Sequence, residues 1–113
     1  FMGARDAILI SDADSGHILD ANPQAERLFG RELQQLLGIL QAELHASGDT
    51  QEARAVIGTL IRLDGAQALR SEVIAADGRI IPVEVTGQLV HLEKGKKVVQ
   101  GVFRPLIDEA SNG

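Results

Sequence analysis

The fold is decided by residues 8–38, which read ILISDADSGHILDANPQAERLFGRELQQLLG. One short apolar run covers Ala7 to Ser11, and a second covers His17 to Ala21. Between them, the acidic segment Asp12-Ala13-Asp14-Ser15-Gly16 ends in glycine and has the composition of a turn. The two runs are therefore predicted to be the strands of a hairpin.

A short helix is predicted directly after this hairpin. Asn22 suits an N-cap, and Pro23 suits the first helical position, where its missing N–H costs nothing. One apolar stripe then follows at helical spacing and consists of Ala25, Leu28 and Phe29. Gly30 is expected to end the helix in the left-handed conformation. A second, shorter helix with the same spacing is predicted to stop at Gly38.

A longer amphipathic helix is predicted after an irregular segment, 39–48, that has at most one helical turn. Asp49 with Glu52 three residues later resembles a capping box. Apolar residues then recur at i, i+3, i+4, i+7 and i+8, namely Ala53, Val56, Ile57, Leu60 and Ile61. This pattern is typical of a helix packed on a core, and Asp64-Gly65 is expected to close it. Gly58 costs about 1 kcal/mol against Ala within a helix and is interpreted as a site of close packing.

The second half of the chain changes to the period of strands. Runs at 69–76 and 79–92 flank Asp77-Gly78, which predicts a hairpin with a two-residue turn. In the second run one face is apolar and consists of Ile81, Val83, Val85 and Leu89. Pro82 cannot donate to a ladder, so we expect it near an edge or near the start of its strand. A last strand is predicted for 97–107.

The summed order of elements is ββ, then helices, then βββ. Consecutive strands joined by tight turns are antiparallel, and helices segregated in sequence indicate the α+β class. The predicted architecture is a five-stranded antiparallel sheet with helices packed on one face. Residues 1–6 are expected to be an N-terminal extension or a remnant of cloning, 7–108 the single domain, and 109–113 a frayed tail.

Composition and charge exclude several functions. The 113-residue chain has no cysteine, which rules out disulfides, thiolate metal sites and a cysteine nucleophile. Its net charge of −5 and its three aromatic residues argue against binding nucleic acid. No window approaches the roughly 18 consecutive apolar residues of a membrane span. We therefore expect a cytoplasmic protein segment without membrane contact.

The order of these motifs resembles a PAS domain, the small sensory module of bacterial signalling proteins. The resemblance is carried by Asn22-Pro23-x-Ala25, by Leu28-Phe29-Gly30, by Asp77-Gly78-Arg79 with the strand from Ile81 to Val85, and by 99–104. It implies a non-catalytic regulatory domain of a histidine kinase, a diguanylate cyclase or a transcription regulator. It also implies binding of a small molecule, homodimerisation, or both, with a downstream output domain. One departure is that Pro105-Leu106-Ile107 stands where many members have Asp-Ile-Thr, the joint to the output domain.

The resemblance also permits a test of known PAS cofactors against these residues. The covalent flavin adduct of light-oxygen-voltage domains needs a cysteine, so it is excluded. The haem-ligating histidine of oxygen sensors would fall near Arg54, which does not ligate iron. No cofactor is therefore predicted, while a non-covalently bound small molecule stays open. His45 is the one histidine with a potential functional role, and the three histidines form no metal motif.

A candidate ligand cavity is predicted between the long helix, the first helix and the sheet. Its predicted lining residues are Phe29, Val56, Leu60, Val83 and Val85. The alternative that these residues pack on one another without a void stays open. So do two other functions: a small α+β enzyme of the hot-dog thioesterase type, and a PAS interaction module without a ligand. No serine has a nucleophile context, and no catalytic residue is predicted.

Overall fold

The computed structural model describes residues 5–106. The strands are β1 (Ala7–Asp12), β2 (Ile18–Ala21), β3 (Leu69–Ile74), β4 (Ile80–His91) and β5 (Lys97–Pro105). The α-helices are α1 (Pro23–Phe29), α2 (Leu33–Leu36) and α3 (Thr50–Leu63), and two 3₁₀ helices cover Gln41–Leu44 and Glu93–Gly95. Several predicted parts lie outside the described residues. They are the first four residues of the extension, Ile107 at the end of the last predicted strand, and the tail 109–113.

The five strands form one antiparallel sheet in the order β2-β1-β5-β4-β3. Its inner face is apolar because alternate residues of each strand turn toward the helices. On β4 this face carries Val83 and Val85, both buried, as the period-two pattern predicts. The α+β class, the five-stranded sheet and the ββ-helices-βββ order are confirmed.

Asn22 joins the first helix to the first strand. Its side-chain Oδ1 accepts hydrogen bonds from the backbone N–H of Ala25, at 3.0 Å, and of Ile8, at 2.9 Å. Its Nδ2 donates to the Asp6 carbonyl at 2.9 Å, and the residue is fully buried. The predicted N-cap is confirmed, and the same side chain also ties α1 to β1. Asp6, which was expected in the extension, is thus in contact with the domain.

The connection between the 3₁₀ helix 41–44 and α3 covers the free edge of β3. The Ala46 N–H donates to the Glu72 carbonyl at 3.0 Å, and His45 forms a bridge with Val73. An uncovered edge strand would expose unpaired backbone groups to other chains. This contact also places the His45 side chain beside the inner face of β3.

The predicted two-residue turn at Asp77-Gly78 is wrong, because the loop has three residues, 76–78. Ala75 N–H donates to the Arg79 carbonyl at 2.9 Å, so these two residues close the ladder. Ala76 lies outside the ladder because its N–H donates to the Phe29 carbonyl at the end of α1, at 2.9 Å. Gly78 has φ +91°, the left-handed conformation of the last residue in such a loop.

The glycine that permits close packing of α3 is Gly87 and not Gly58. A Cβ on Gly58 would meet only the end of the Arg62 side chain, at 3.7 Å. A Cβ on Gly87 would lie 3.1 Å from the Leu60 Cβ, which belongs to the helix facing it. Gly87 is paired with Gly101 across β4 and β5, so this part of the sheet is bare of side chains. The interpretation of Gly58 as a packing site is therefore wrong.

Pro82 lies near the start of β4, as predicted. Its carbonyl accepts from the Leu106 N–H at 2.9 Å, just beyond the last β4–β5 pair, Val83 with Pro105. In an antiparallel strand the N–H and C=O of one residue point to the same side. The backbone N–H that Pro82 lacks would therefore point toward Leu106, where the pairing of β4 with β5 ends.

Candidate functional site

A small cavity lies between α3, the 3₁₀ helix 41–44 and the inner face of the sheet. Its volume is about 20 Å³, which is enough for about one water molecule. Its apolar lining consists of Leu44, Val56, Ile57, Leu60, Val73, Val85 and Phe103, and its polar lining of Gln41, His45 and Ser71. The cavity therefore has few polar groups in an apolar wall, which is the composition of a small-molecule pocket.

Of the five residues predicted to line a cavity, three line it in the structure and two do not. Val56, Leu60 and Val85 line it. Phe29 and Val83 do not, although both are fully buried in the adjoining core. The ring of Phe29 instead meets the ring of Phe103 edge to face, with centroids 5.6 Å apart and an interplanar angle of 82°. Phe103 therefore contacts Phe29 and also lines the cavity.

The sequence did not identify two of the polar groups, Gln41 and Ser71. Ser71 lies between Leu69 and Val73 on the inner face of β3, so a hydroxyl in an otherwise apolar alternation was the available signal. Gln41 is in the irregular segment, and no pattern marked it. Its Oε1 accepts from the Ser11 Oγ at 2.6 Å, and both residues are buried.

His45 lies at the edge of the cavity and contacts Ser71. Its Nε2 and the Ser71 Oγ are 3.1 Å apart and form a hydrogen bond. Burial lowers the pKa of His45 below its usual value of 6.5, because the charged ring loses water, while the Glu52 carboxylate opposes this shift. The imidazole is therefore mainly uncharged at pH 7.

A surface groove of about 290 Å³ lies on the other side of His45. It is lined by His45, Ala46, Ser47, Glu52, Val56, Arg70, Ser71, Glu72 and Ile80. Three of these residues, His45, Val56 and Ser71, also line the cavity. The cavity and the groove are therefore adjacent and share three lining side chains.

Comparison with known proteins identifies the family of this fold. The sequence profile of the PAS domain matches residues 5–104. The chain belongs to the PAS domain family. PAS domains are generally non-catalytic sensory modules, and this one is not an enzyme. The thioesterase alternative is thereby wrong.

Solved PAS structures superpose on nearly the whole chain. A PAS domain from Colwellia psychrerythraea is 25% identical with a TM-score of 0.81, over 94% of this chain and 90% of that one. A domain of a sensory box sensor histidine kinase/response regulator from Geobacter sulfurreducens is 30% identical with a TM-score of 0.69, over 92% and 86%.

A third similarity concerns the fold alone. The PAS domain of a LuxR-family transcriptional regulator from Burkholderia thailandensis, in complex with ethanol, is 18% identical with a TM-score of 0.73, over 94% and 93%. A comparison with curated proteins gave no match.

The helix of this PAS domain that faces the cavity has no ligand for haem iron. Its residues at the cavity are Val56, Ile57 and Leu60, and Arg54 is exposed on another side. The cavity of about 20 Å³ is also far smaller than a haem or a flavin ring system. The residues of this helix therefore do not fit haem.

The acidic cluster at the β1–β2 turn has a structural role. Oδ1 of Asp12 accepts from the backbone N–H of Asp14, at 2.8 Å, and of Ser15, at 2.9 Å. These donors, chiefly Ser15, lower the pKa of Asp12. Within residues 5–106 no group of three or more acidic or histidine side chains is placed to hold a metal. No helix of the same part of the chain is long and apolar enough to cross a membrane.

Proposed function

We propose that this PAS domain is a regulatory module that binds a small uncharged molecule in the cavity under α3. The observation that carries the proposal is the lining, in which Gln41, His45 and Ser71 interrupt an apolar wall. Such polar groups orient a ligand, and the apolar wall supplies most of its contact area. The lining contains no Asp, Glu, Lys or Arg, so a charged ligand would be buried without an opposite charge.

The proposed parent protein is a histidine kinase, a diguanylate cyclase or a transcription regulator with an output domain beyond the PAS domain. The Geobacter neighbour, named as a sensor histidine kinase/response regulator, supports the first of these. The joint to the output domain would differ from the common Asp-Ile-Thr form. Here Pro105 ends β5, and the Leu106 N–H is bonded to the Pro82 carbonyl.

We also propose a cytoplasmic homodimer that does not bind nucleic acid. The family supports self-association, since PAS domains commonly pair as homodimers. The net charge of −5 argues against binding to phosphate backbones. Native mass spectrometry of the freshly isolated protein distinguishes a dimer from a monomer, and a monomer mass across micromolar concentrations would contradict dimerisation.

A second candidate function is an interaction module that has no ligand. The observation that favours it is the small size of the cavity, which admits about one water molecule in this conformation. A larger ligand would have to displace a part of the wall. The experiment must therefore separate a ligand-binding cavity from a packing defect.

Native mass spectrometry also tests for a bound molecule. We expect a reproducible excess mass on the freshly isolated protein and a loss of that mass in the Val85→Ile variant, whose added methylene enters the cavity. The control is Val90→Ile, the same substitution at a position of the same strand that is 37% exposed. It should retain the excess mass.

Titration with ethanol, the ligand of the Burkholderia PAS structure, provides a second measurement. We expect the methyl NMR signals of Val56 and Val85 to shift and those of Val90 to stay. An unmodified mass together with unshifted cavity methyls would contradict ligand binding and favour the interaction module.

A further inference from the structure

Three side chains lie along both the cavity and the surface groove. His45, Val56 and Ser71 line the cavity of about 20 Å³ and also the groove of about 290 Å³. A molecule that passes directly from the groove to the cavity therefore passes these three side chains. The path needs no opening of the sheet.

Of these three side chains, His45 is the one on a connecting segment, outside both α3 and the sheet. Val56 is in the middle of α3 and is fixed by the helix backbone. His45 follows the last residue of the 3₁₀ helix, in a connection whose backbone is tied to β3 by the Ala46–Glu72 hydrogen bond. Its ring is only half-buried and forms a hydrogen bond to Ser71. Rotation of the ring would break this bond and join the two spaces.

We propose that the His45–Ser71 hydrogen bond is a gate that admits small uncharged molecules from the groove to the cavity. The proposal rests on the proposed function, since a gate has a role only where the cavity takes a ligand. Once inside, a ligand with one hydroxyl or carbonyl group replaces the His45–Ser71 bond with bonds of its own. Its carbon atoms need more room than the cavity of about 20 Å³, so they displace the surrounding side chains and contact Val56, Leu60 and Val85. The ligand class is therefore a short-chain alcohol, ketone or comparable neutral molecule.

The distribution of charge on the two sides of the gate selects for uncharged ligands. The groove carries Glu52 from α3 and Arg70 and Glu72 from β3, all exposed to water. The cavity carries none of these charges, and the low pKa of His45 keeps its ring uncharged at neutral pH. A charged molecule would lose its water at the gate without meeting an opposite charge.

The absence of cysteine from the chain makes passage through the gate measurable with a single introduced thiol. In the Val85→Cys variant the thiol is placed on the cavity wall. Its rate of modification is measured by mass spectrometry at pH 7.5 with three methanethiosulfonates of different charge. These are the uncharged hydroxyethyl reagent, the cationic trimethylammonium-ethyl reagent and the anionic sulfonatoethyl reagent.

We expect the uncharged reagent to modify the Val85→Cys thiol at least about tenfold faster than either charged reagent, because burial of a charge is costly. Each rate is normalised to the same reagent's rate at Ser47→Cys, an exposed position in the groove. Adding Ser71→Ala should raise the rate with the uncharged reagent by about 3- to 10-fold, through loss of one hydrogen bond. Adding His45→Ala, which also shortens the side chain, should raise it further.

Two controls separate passage through the gate from unfolding and from nonspecific effects. His91→Ala removes an exposed histidine at the far end of β4 and should leave the rate unchanged. Ile18→Val loses one methylene from a residue that is 1% exposed in β2, away from the gate. It reports how much a general loss of stability accelerates modification.

Equal rates with and without Ser71→Ala and His45→Ala would overturn the gate, as would an acceleration no larger than that of Ile18→Val. Such a result leaves the proposed function intact if the excess mass is retained. Gated modification without any retained ligand or methyl shift would show a passage to the cavity, but it would contradict the ligand-binding function and with it the role of the gate.

Discussion

The two helices that cover the sheet differ in how tightly they are docked. The seven-residue α1 fully buries Ala25 and Phe29, and Asn22 locks its first turn to β1. The 14-residue α3 buries only Ala53 and Leu60 and leaves a cavity against the sheet. The half of the chain that contains α1 is closely packed and stabilises the fold. The half that contains α3 has the cavity that a ligand would enter. Segments that respond to ligands are commonly drawn from the less stable parts of a protein.

The same substitution in both halves tests this difference most strongly. Leu36 in α2 is 0% exposed and Leu60 in α3 is 4% exposed. We expect Leu36→Ala to lower the free energy of unfolding by about 4 kcal/mol and Leu60→Ala by about 2 to 3 kcal/mol, because Leu60 already faces a void. Urea unfolding followed by circular dichroism measures both. Equal losses would mean that α3 is packed as tightly as the first half.

Substitution of Asn22, which connects α1 to β1, is expected to have the next largest effect on stability. Asn22→Ala removes the N-cap and leaves the buried Ile8 N–H without an acceptor, so stability should fall by about 3 kcal/mol. Asn22→Ser keeps an uncharged side-chain oxygen that can still accept from the Ala25 N–H and buries no charge, so its loss should be smaller. If the two variants unfold at the same urea concentration, the oxygen that caps α1 does not contribute to stability.

Two glycine substitutions should have smaller effects of opposite sign. Gly58→Ala should stabilise by about 1 kcal/mol, because helix propensity improves and the new Cβ meets only a flexible side chain. Gly87→Ala should destabilise by about 1 kcal/mol or more, because its Cβ would lie 3.1 Å from the Leu60 Cβ. Thermal unfolding of both variants measures the signs. Stabilisation by Gly87→Ala would show that α3 can move away from the sheet without cost.

The smallest expected effect is the contribution of His45 to the pH dependence of stability. Its pKa in the folded protein lies below 6.5, so below that pH the unfolded chain binds its proton first. Stability should therefore fall as the pH decreases from 7.5 to 5.5, and the contribution of His45 should be constant above that window. The fall should be smaller in His45→Gln. A variant with an unchanged slope between these pH values would contradict the role of His45 burial.

The local signals in the sequence predicted the first half of the fold well. Asn22-Pro23 and Gly30 bound α1 as expected, with Gly30 in the left-handed conformation at φ +62°. Such signals need only a few neighbouring residues, since caps and turns satisfy their own backbone groups. The prediction of a two-residue turn failed at 76–78 because it depended on a distant residue. The Ala76 N–H donates to the carbonyl of Phe29, which is far away in the sequence.

The candidate site could be predicted only in its apolar part. The helical spacing of Val56 and Leu60 and the strand spacing of Val85 turned them toward the core. Its polar groups meet partners 26 and 30 residues away, in the pairs His45–Ser71 and Ser11–Gln41. A periodic pattern within one helix or strand does not predict a contact between residues of two distant elements.

The sequence by itself determined the elements, their order and the PAS family, because periodicity, caps and turns are set by adjacent residues. The tertiary structure alone decided that α3 packs closely on Gly87 and that Phe103 contacts Phe29 and lines the cavity. It also decided that His45 and Ser71 form a hydrogen bond at the cavity. These features depend on how far one element lies from another, and that distance follows from the packing of the whole chain.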